Sequence, residues 1–337
     1  MAITINPNTY AGNYASYMWL PAVFGMDTIN KGLVSIHDGI KYREVIGTLD
    51  FSNPLQTRVA TPAPNTSGTT IGERYLDAKD IMIYSEFNPA DFEAHWLSEQ
   101  LSRKLLDETL PMEVETYMTA MILSRAGEGL ETNIWMGSTT YTATPGTAGN
   151  GQLVFFDGFL KQMIADAAIN QFASPKTLTV GVTDGSHTNI VDALQGLIDL
   201  AAANKKALLS KPTRYERMKF IVSIATEQIY QNYLANSTTF KNNNTTDKGI
   251  NKYLGYEIVV AAGIADNTIL FCEAIMEPDG ALHVGVNTMD DNTVTLNRVQ
   301  NNSELFFVKG LMKMCVNYKN SSEIFLFTTL TAATFNA

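Results

Sequence analysis

The sequence predicts an α+β fold carrying long extensions that have no core of their own. Two amphipathic helical segments stand among many short strand-like ones, and no internal repeat of fixed period is visible. The first 87 residues read as a ring-rich arm and a loose-tipped hairpin rather than a packed unit.

Residues 1–39 read as an irregular arm in which Asn, Tyr and Gly alternate with apolar residues. Tyr10, Tyr14, Tyr17, Trp19 and Phe24 crowd rings into it, which favours a segment laid along another surface over a disordered one. Residues 40–86 read as a two-stranded excursion. Residues 42–51 are β-prone, residues 60–72 (ATPAPNTSGTTIG) are turn chemistry, and residues 80–84 return as a strand. A hairpin this long cannot bury both faces within one small domain, so it is expected to reach a neighbour.

Residues 88–124 carry the longest helical pattern. Asn88 is suited to the N-cap and Pro89 to the first helical position. Pro111 interrupts the pattern, which resumes at Val114, Tyr117, Met118, Met121 and Ile122. Gly127 and Gly129 read as its stop. Residues 131–137 (ETNIWMG) then read as a strand and 155–168 as a short helix. Residues 189–209 form an amphipathic helix with Ile190, Leu194, Leu197, Ile198, Ala201 and Leu208 on one side.

An α+β region follows. It has strands at 218–222, 256–261, 268–272 and 293–299, a capped helix at 223–234 and an Asn-rich loop at 238–248. The last two strands, 305–318 and 323–327, are joined by a short turn and read as a hairpin.

Composition narrows the function classes. Charged residues make up 17%, below the usual quarter, which leaves the surface to neutral polar groups. Such groups cost less to desolvate against another copy of the chain than charges do. Twenty-four basic against thirty-four acidic residues give a net charge of −10, with no basic run. Tight nucleic-acid binding, which needs clustered Lys and Arg, is therefore disfavoured. Cys272 and Cys315 lie in apolar stretches and read as buried free thiols. The first 25 residues lack the basic start and apolar core of a signal peptide, and no apolar run reaches membrane-spanning length. The protein is expected to stay in a cytoplasm.

Candidates for chemistry are weak. His37, His95, His187 and His283 are far apart in sequence, and none has a ligand partner at metal-binding spacing. The Gly-rich stretch 145–151 lacks the Lys-Ser/Thr that completes a phosphate loop. The stretch Asp290, Asp291, Asn292 lacks the distal ligands of a calcium loop and reads as a turn. Glu113/Glu115 and Glu128/Glu131 are carboxylate pairs with no sign of a shared cleft. No Gly-x-Ser-x-Gly elbow is present. No cofactor, metal or catalytic residue is assigned.

The order of elements carries more than any motif. Irregular arm, long hairpin, long helix, Glu-x-x-Ile-Trp-x-Gly strand, second long helix, α+β insert and terminal hairpin follow one another. Four stretches carry this order: 106–138, 193–235, 253–273 and 304–327. Together they resemble the major capsid proteins of tailed bacteriophages, of the Hong Kong 97-type fold. The resemblance covers nearly the whole chain. It implies an N-terminal arm (1–39), an extended loop (40–87), a peripheral domain with a spine helix (88–215), an axial domain (216–303) and a return to the peripheral domain (304–337). It implies a virion protein, assembled in the host cytoplasm, that self-assembles into hexamers and pentamers of an icosahedral head. Such a head encloses double-stranded DNA without sequence-specific binding.

The expected inter-subunit contacts are Tyr10, Tyr14, Trp19, Phe51, Arg58, Ile71 and Asn243. The arm-like sequence begins at Met1, so a scaffolding protein is expected to be separate. A portal and decoration proteins are the other implied partners, with no membrane and no covalent cross-links. The alternatives are an encapsulin-like compartment, a surface adhesin and an unrecognised hydrolase.

Overall fold

The computed structural model describes residues 8–11, 26–50, 57–58, 60–61, 70–88, 114–144, 149–173, 175–179, 189–205, 209, 212–236, 251–287, 293–300 and 305–336. Among them lie two six-stranded sheets, a two-stranded ribbon and four helices longer than one turn. The fold is α+β.

The first sheet is organised by one long strand. In order it contains β1 (Asn8–Ala11), β12 (Thr293–Arg298), β13 (Phe306–Tyr318), β11 (Leu282–Asn287) and β2 (Ser35–Asp38), with β5 (Lys79–Phe87) also paired to β13. Phe306–Leu311 of β13 pairs with β12, Phe306–Met314 with β5, and Lys313–Tyr318 with β11, all antiparallel. β13 alternates Phe306, Val308, Met312 and Met314 inward with more exposed neighbours, as a half-buried strand should.

The second sheet runs β6 (Asn170–Gln171), β14 (Phe325–Thr328), β10 (Thr268–Glu273), β7 (Met218–Val222), β9 (Tyr256–Val260) and β8 (Lys252–Tyr253). Its central strand β10 is buried at every residue, which explains the unbroken run TILFCE. One face sends Ile221, Leu270, Cys272 and Leu326 into the core shared with the first sheet. The other sends Phe220, Ile269, Phe271, Phe325 and Phe327 into a second core. There Phe220 and Phe271 stack at 4.4 Å.

Each helix takes its place from its apolar stripe. α1 (Val114–Met136) buries Leu123, Leu130, Ile134 and Trp135 against the first core. α2 (Phe159–Ala165) buries Phe159, Leu160 and Met163 there as well. α3 (Ile190–Asn204) faces the second core with Ile190, Leu194, Leu197 and Ala201. Asn189 caps it by accepting from the Val191 N–H at 2.8 Å. α4 (Ile224–Asn236) starts behind Ser223, whose hydroxyl accepts from the Thr226 N–H at 3.1 Å.

Five sequence expectations need correction. Gly127 and Gly129 do not stop the long helix, and residues 131–137 are not a strand. The helix runs on to Met136, because burial of Leu130, Ile134 and Trp135 outweighs the roughly 1 kcal/mol that each glycine costs. The stop is Gly137, where a Cβ would sit 2.4 Å from the Phe156 carbonyl and 2.6 Å from that of Asn133.

The return strand of the long hairpin is β4 (Thr70–Asp77), not 80–84. Residues 80–84 lie in β5, in the first sheet. β4 escaped notice because Leu76 is its one buried residue among those whose side chains are described.

The last two strands do not pair. β13 belongs to the first sheet and β14 to the second, and the turn Ser321–Glu323 carries the chain between them. Both edges of β14 are already taken, by β10 and β6.

Finally, residues 26–38 are not part of an arm on another surface. Met26, Ile29, Leu33 and Val34 are buried in this chain's own first core, and β2 pairs in parallel with β11.

The cysteines behave as expected: Cys272 and Cys315 are free and buried.

Candidate assembly surface

Among the described residues, the ribbon of β3 (Arg43–Asp50) and β4 exposes apolar surface in an ordered row. β3 and β4 pair antiparallel, with Val45 opposite Tyr75 and Leu49 opposite Ile71. Alternation gives the ribbon two faces. On one, Val45, Ile71 and Tyr75 are 51%, 71% and 42% exposed. Arg43 and Asp77 form an ion pair at its base, and the Arg43 guanidinium lies 4.9 Å from the centre of the Tyr75 ring. Tyr42, beside them, is 82% exposed. The described part of the chain leaves this face to solvent.

The opposite face is fastened to the body. Ile46 and Leu76 pack with Ile40 and Cys315 in a small core of their own. Gly285 makes room for it, since a Cβ there would sit 2.6 Å from Ile40 Cδ1 and 2.7 Å from Cys315 Sγ. Arg74 pairs with Asp166 and lies 4.1 Å over the Tyr318 ring. The Tyr318 hydroxyl donates to the same carboxylate at 2.7 Å. Asn317 Nδ2 donates to the Tyr75 carbonyl at 2.8 Å. Burial pushes the Cys315 thiol up to about 12, so it stays neutral. The ribbon therefore leaves the body in a fixed direction with its apolar face outward.

A second exposed apolar strip lies on the first sheet. Met82 and Leu311 face each other across β5 and β13, 53% and 37% exposed, with Tyr84 two residues on at 50%. Between β5 and α1 runs a groove of about 660 Å³ lined by Ile83, Ile122, Leu130 and Phe155.

The residues singled out from the sequence distribute unevenly. Ile71 stands on the outward face of the ribbon and Arg58 is exposed. Tyr10 lies in β1, opposite Val294. Tyr14, Trp19, Phe51 and Asn243 lie outside the described residues, as do His95, His187, residues 145–148 and Asp290–Asn292. Glu128 is exposed and paired with Arg125, whereas Glu131 is buried. Glu131 accepts from the Thr28 N–H (3.1 Å) and hydroxyl, and Trp135 Nε1 donates to that hydroxyl at 2.8 Å. This carboxylate fastens the segment after Met26 to α1 and shares no cleft with Glu128.

Sequence spacing missed one pair. His37 and His283 are 246 residues apart, yet Nε2 of the first lies 2.8 Å from Nδ1 of the second. Among the described residues, no group of three or more His, Cys, Asp or Glu is placed to hold a metal ion. No described helix is long and apolar enough to cross a membrane.

The whole architecture has counterparts among solved structures. A chain of the satellite phage P4 procapsid including size determination (Sid) protein superposes with a TM-score of 0.59 at 11% identity, covering 94% of this chain and 98% of that one. The fold is the Hong Kong 97-type capsid fold. The capsid of a native GTA particle matches at 0.56 and 12% identity, covering 98% and 96%. The capsid of Myoviridae phage XM1 matches at 0.53 and 11%, covering 90% and 92%. No protein-family model and no curated protein matches the sequence. The Hong Kong 97-type fold thus persists here where sequence identity has fallen to the level of chance.

Proposed function

We propose that this chain is a major capsid protein, a structural and non-catalytic subunit that assembles into hexamers and pentamers of an icosahedral phage head. The observation that carries the reading is the ribbon. It is rigidly rooted, projects from the body, and presents Val45, Ile71 and Tyr75 outward. A monomer gains nothing from that arrangement. Burying each such side chain against a neighbour contributes on the order of 1–2 kcal/mol before ordering costs. Summed over a closed shell, with each copy giving and receiving a ribbon, that gain favours assembly.

In this reading the first sheet with α1 and α2 is the peripheral body. The second sheet with α3 and α4 is the axial body, which adds α3, β6 and β14 to the span 216–303 expected from the sequence and leaves β11 and β12 to the first sheet. The contact set is Tyr10, Tyr14, Trp19, Phe51, Arg58, Ile71 and Asn243, with the Asn-rich loop 238–250 near the local symmetry axis. The partners are other copies of the chain, a separate scaffolding protein, a portal and decoration proteins. The net charge of −10 suits a wall that confines DNA without gripping it. The place of action is the virion, after assembly in the host cytoplasm.

Negative-stain microscopy of the purified protein tests this. Closed shells or capsomer rings are expected, and persistent monomers under assembly conditions would refute it. Nucleic acid within particles purified from the native source separates a phage head from an encapsulin-like compartment.

A further inference from the structure

The root of the ribbon carries a chain of titratable groups that no packing role explains. Glu44 on β3 places Oε1 2.8 Å from His37 Nδ1 on β2. His37 Nε2 lies 2.8 Å from His283 Nδ1 on β11. His283 is 1% exposed, and its Nε2 is buried without a hydrogen-bond partner. Three strands, including the first strand of the ribbon, are thus joined through two imidazoles.

Proton counting fixes how this chain works. At neutral pH, His37 Nδ1–H donates to the Glu44 carboxylate, so His37 Nε2 carries a lone pair. His283 Nδ1–H then donates to it, and His283 Nε2 is bare. A proton added to His37 Nε2 leaves its contact with the Glu44 carboxylate in place. His37 then presents N–H at both positions. His283 answers by moving its own proton from Nδ1 to Nε2 and accepting through Nδ1. The line of hydrogen bonds survives with one direction reversed. A second proton, on His283, leaves two N–H groups facing each other at 2.8 Å, and no tautomer restores the bond.

We propose that Glu44, His37 and His283 form a two-proton latch on the ribbon root, which tolerates one proton by a tautomer switch and is broken by the second. The surroundings set where that happens. His37 meets Glu44 from β3 and His283 from β11. His283 meets His37 from β2 and the Lys319 charge beyond β13, and both oppose a charge on it. Asn317, its register partner on β13, is neutral. Burial first, then these two charges, hold His283 down to about 4 against an opposing backbone hydrogen bond at Gly280. The latch is therefore closed across physiological pH and opens in acid. It does not depend on what the ribbon touches, so its failure and the failure of the capsid reading are separable.

Hydrogen exchange of the peptide spanning 42–48, followed from pH 7 to 3.5 and corrected for intrinsic rates, tests it. The wild type is expected to lose at least tenfold in protection in a single step near pH 4, ahead of global unfolding reported by tryptophan fluorescence. His283→Gln has no second proton to take and is expected to lack the step. An identical step in His283→Gln, or no step before global unfolding, overturns the proposal. Nitrogen-15 shifts of the wild-type imidazoles decide the matter should the variant fail to fold. Both Nδ1 atoms are expected to be protonated at neutral pH. A neutral His37 protonated at Nε2 overturns it.

Discussion

Arg74, on the ribbon, is held by Asp166, the residue that ends α2, and the Tyr318 ring lies beneath its guanidinium. This clamp joins the ribbon to the first core at a point where Asp166 also accepts from the Ala168 N–H at 2.9 Å. Burial works against the Asp166 charge, but the Ala168 N–H, the Tyr318 hydroxyl and Arg74 together hold its carboxyl below the usual 3.8. A carboxyl lowered in the folded state adds stability above its unfolded value and loses it as pH falls through the folded one. Asp166→Asn is therefore expected to cost about 1–2 kcal/mol at neutral pH and to flatten the loss of stability below pH 4. A cycle with Arg74→Ala should show coupling of about 1 kcal/mol by urea unfolding, since the two share one contact.

Gly285 is needed for space. Its φ is unremarkable, but Ile40 and Cys315 occupy the position of a Cβ. Gly285→Ala is expected to destabilise by about 1–3 kcal/mol through overpacking. Hydrogen exchange should show the extra opening concentrated in 40–46 and 74–78, the strands that meet there.

Thr28 serves two buried partners at once, accepting from Trp135 Nε1 and donating to Glu131. Thr28→Val removes both bonds while keeping the shape. The cost is expected at about 2–3 kcal/mol, because an indole N–H and a carboxylate oxygen lose partners in the core. The urea midpoint reports it. Burial already raises the Glu131 pKa, opposed by the Thr28 hydroxyl and N–H. Removing the hydroxyl should raise it further, seen as a carboxyl carbon shift in a pH titration.

Much of this fold was legible in the sequence. Strands such as 218–222 and 268–272 announce themselves because both faces are largely buried and their residues, Lys219 and Thr268 apart, are apolar. The helix expected at 189–209 shows its stripe in plain order, although it ends at Asn204. The failures share a cause. β4 looks polar because its outward face stands in solvent, and Leu76 alone marks its inner side. The segment 26–34 looked like arm because its four buried apolar residues lie in and around a single helical turn, too short for a period. The glycines of α1 read as a stop because packing beyond them is tertiary. The His37–His283 contact depends on β2 lying beside β11, a pairing that no local spacing encodes.

The outward face of the ribbon separates assembly from folding. Ile71→Asp and Val45→Asp replace exposed side chains, so the subunit's own stability should change by less than about 0.5 kcal/mol. Assembly should be lost or weakened more than tenfold, because a buried unpaired charge costs several kcal/mol at each contact. Sedimentation velocity reads the assembly, and thermal unfolding of the unassembled subunit provides the control.

The most direct measurement is a cryo-microscopy reconstruction of the assembled protein at side-chain resolution. The account predicts a closed shell in which each β3–β4 ribbon lies across an adjacent subunit, with Val45, Ile71 and Tyr75 covered. A ribbon whose outer face stays in solvent, or a protein that forms no particle under any assembly condition, would contradict it.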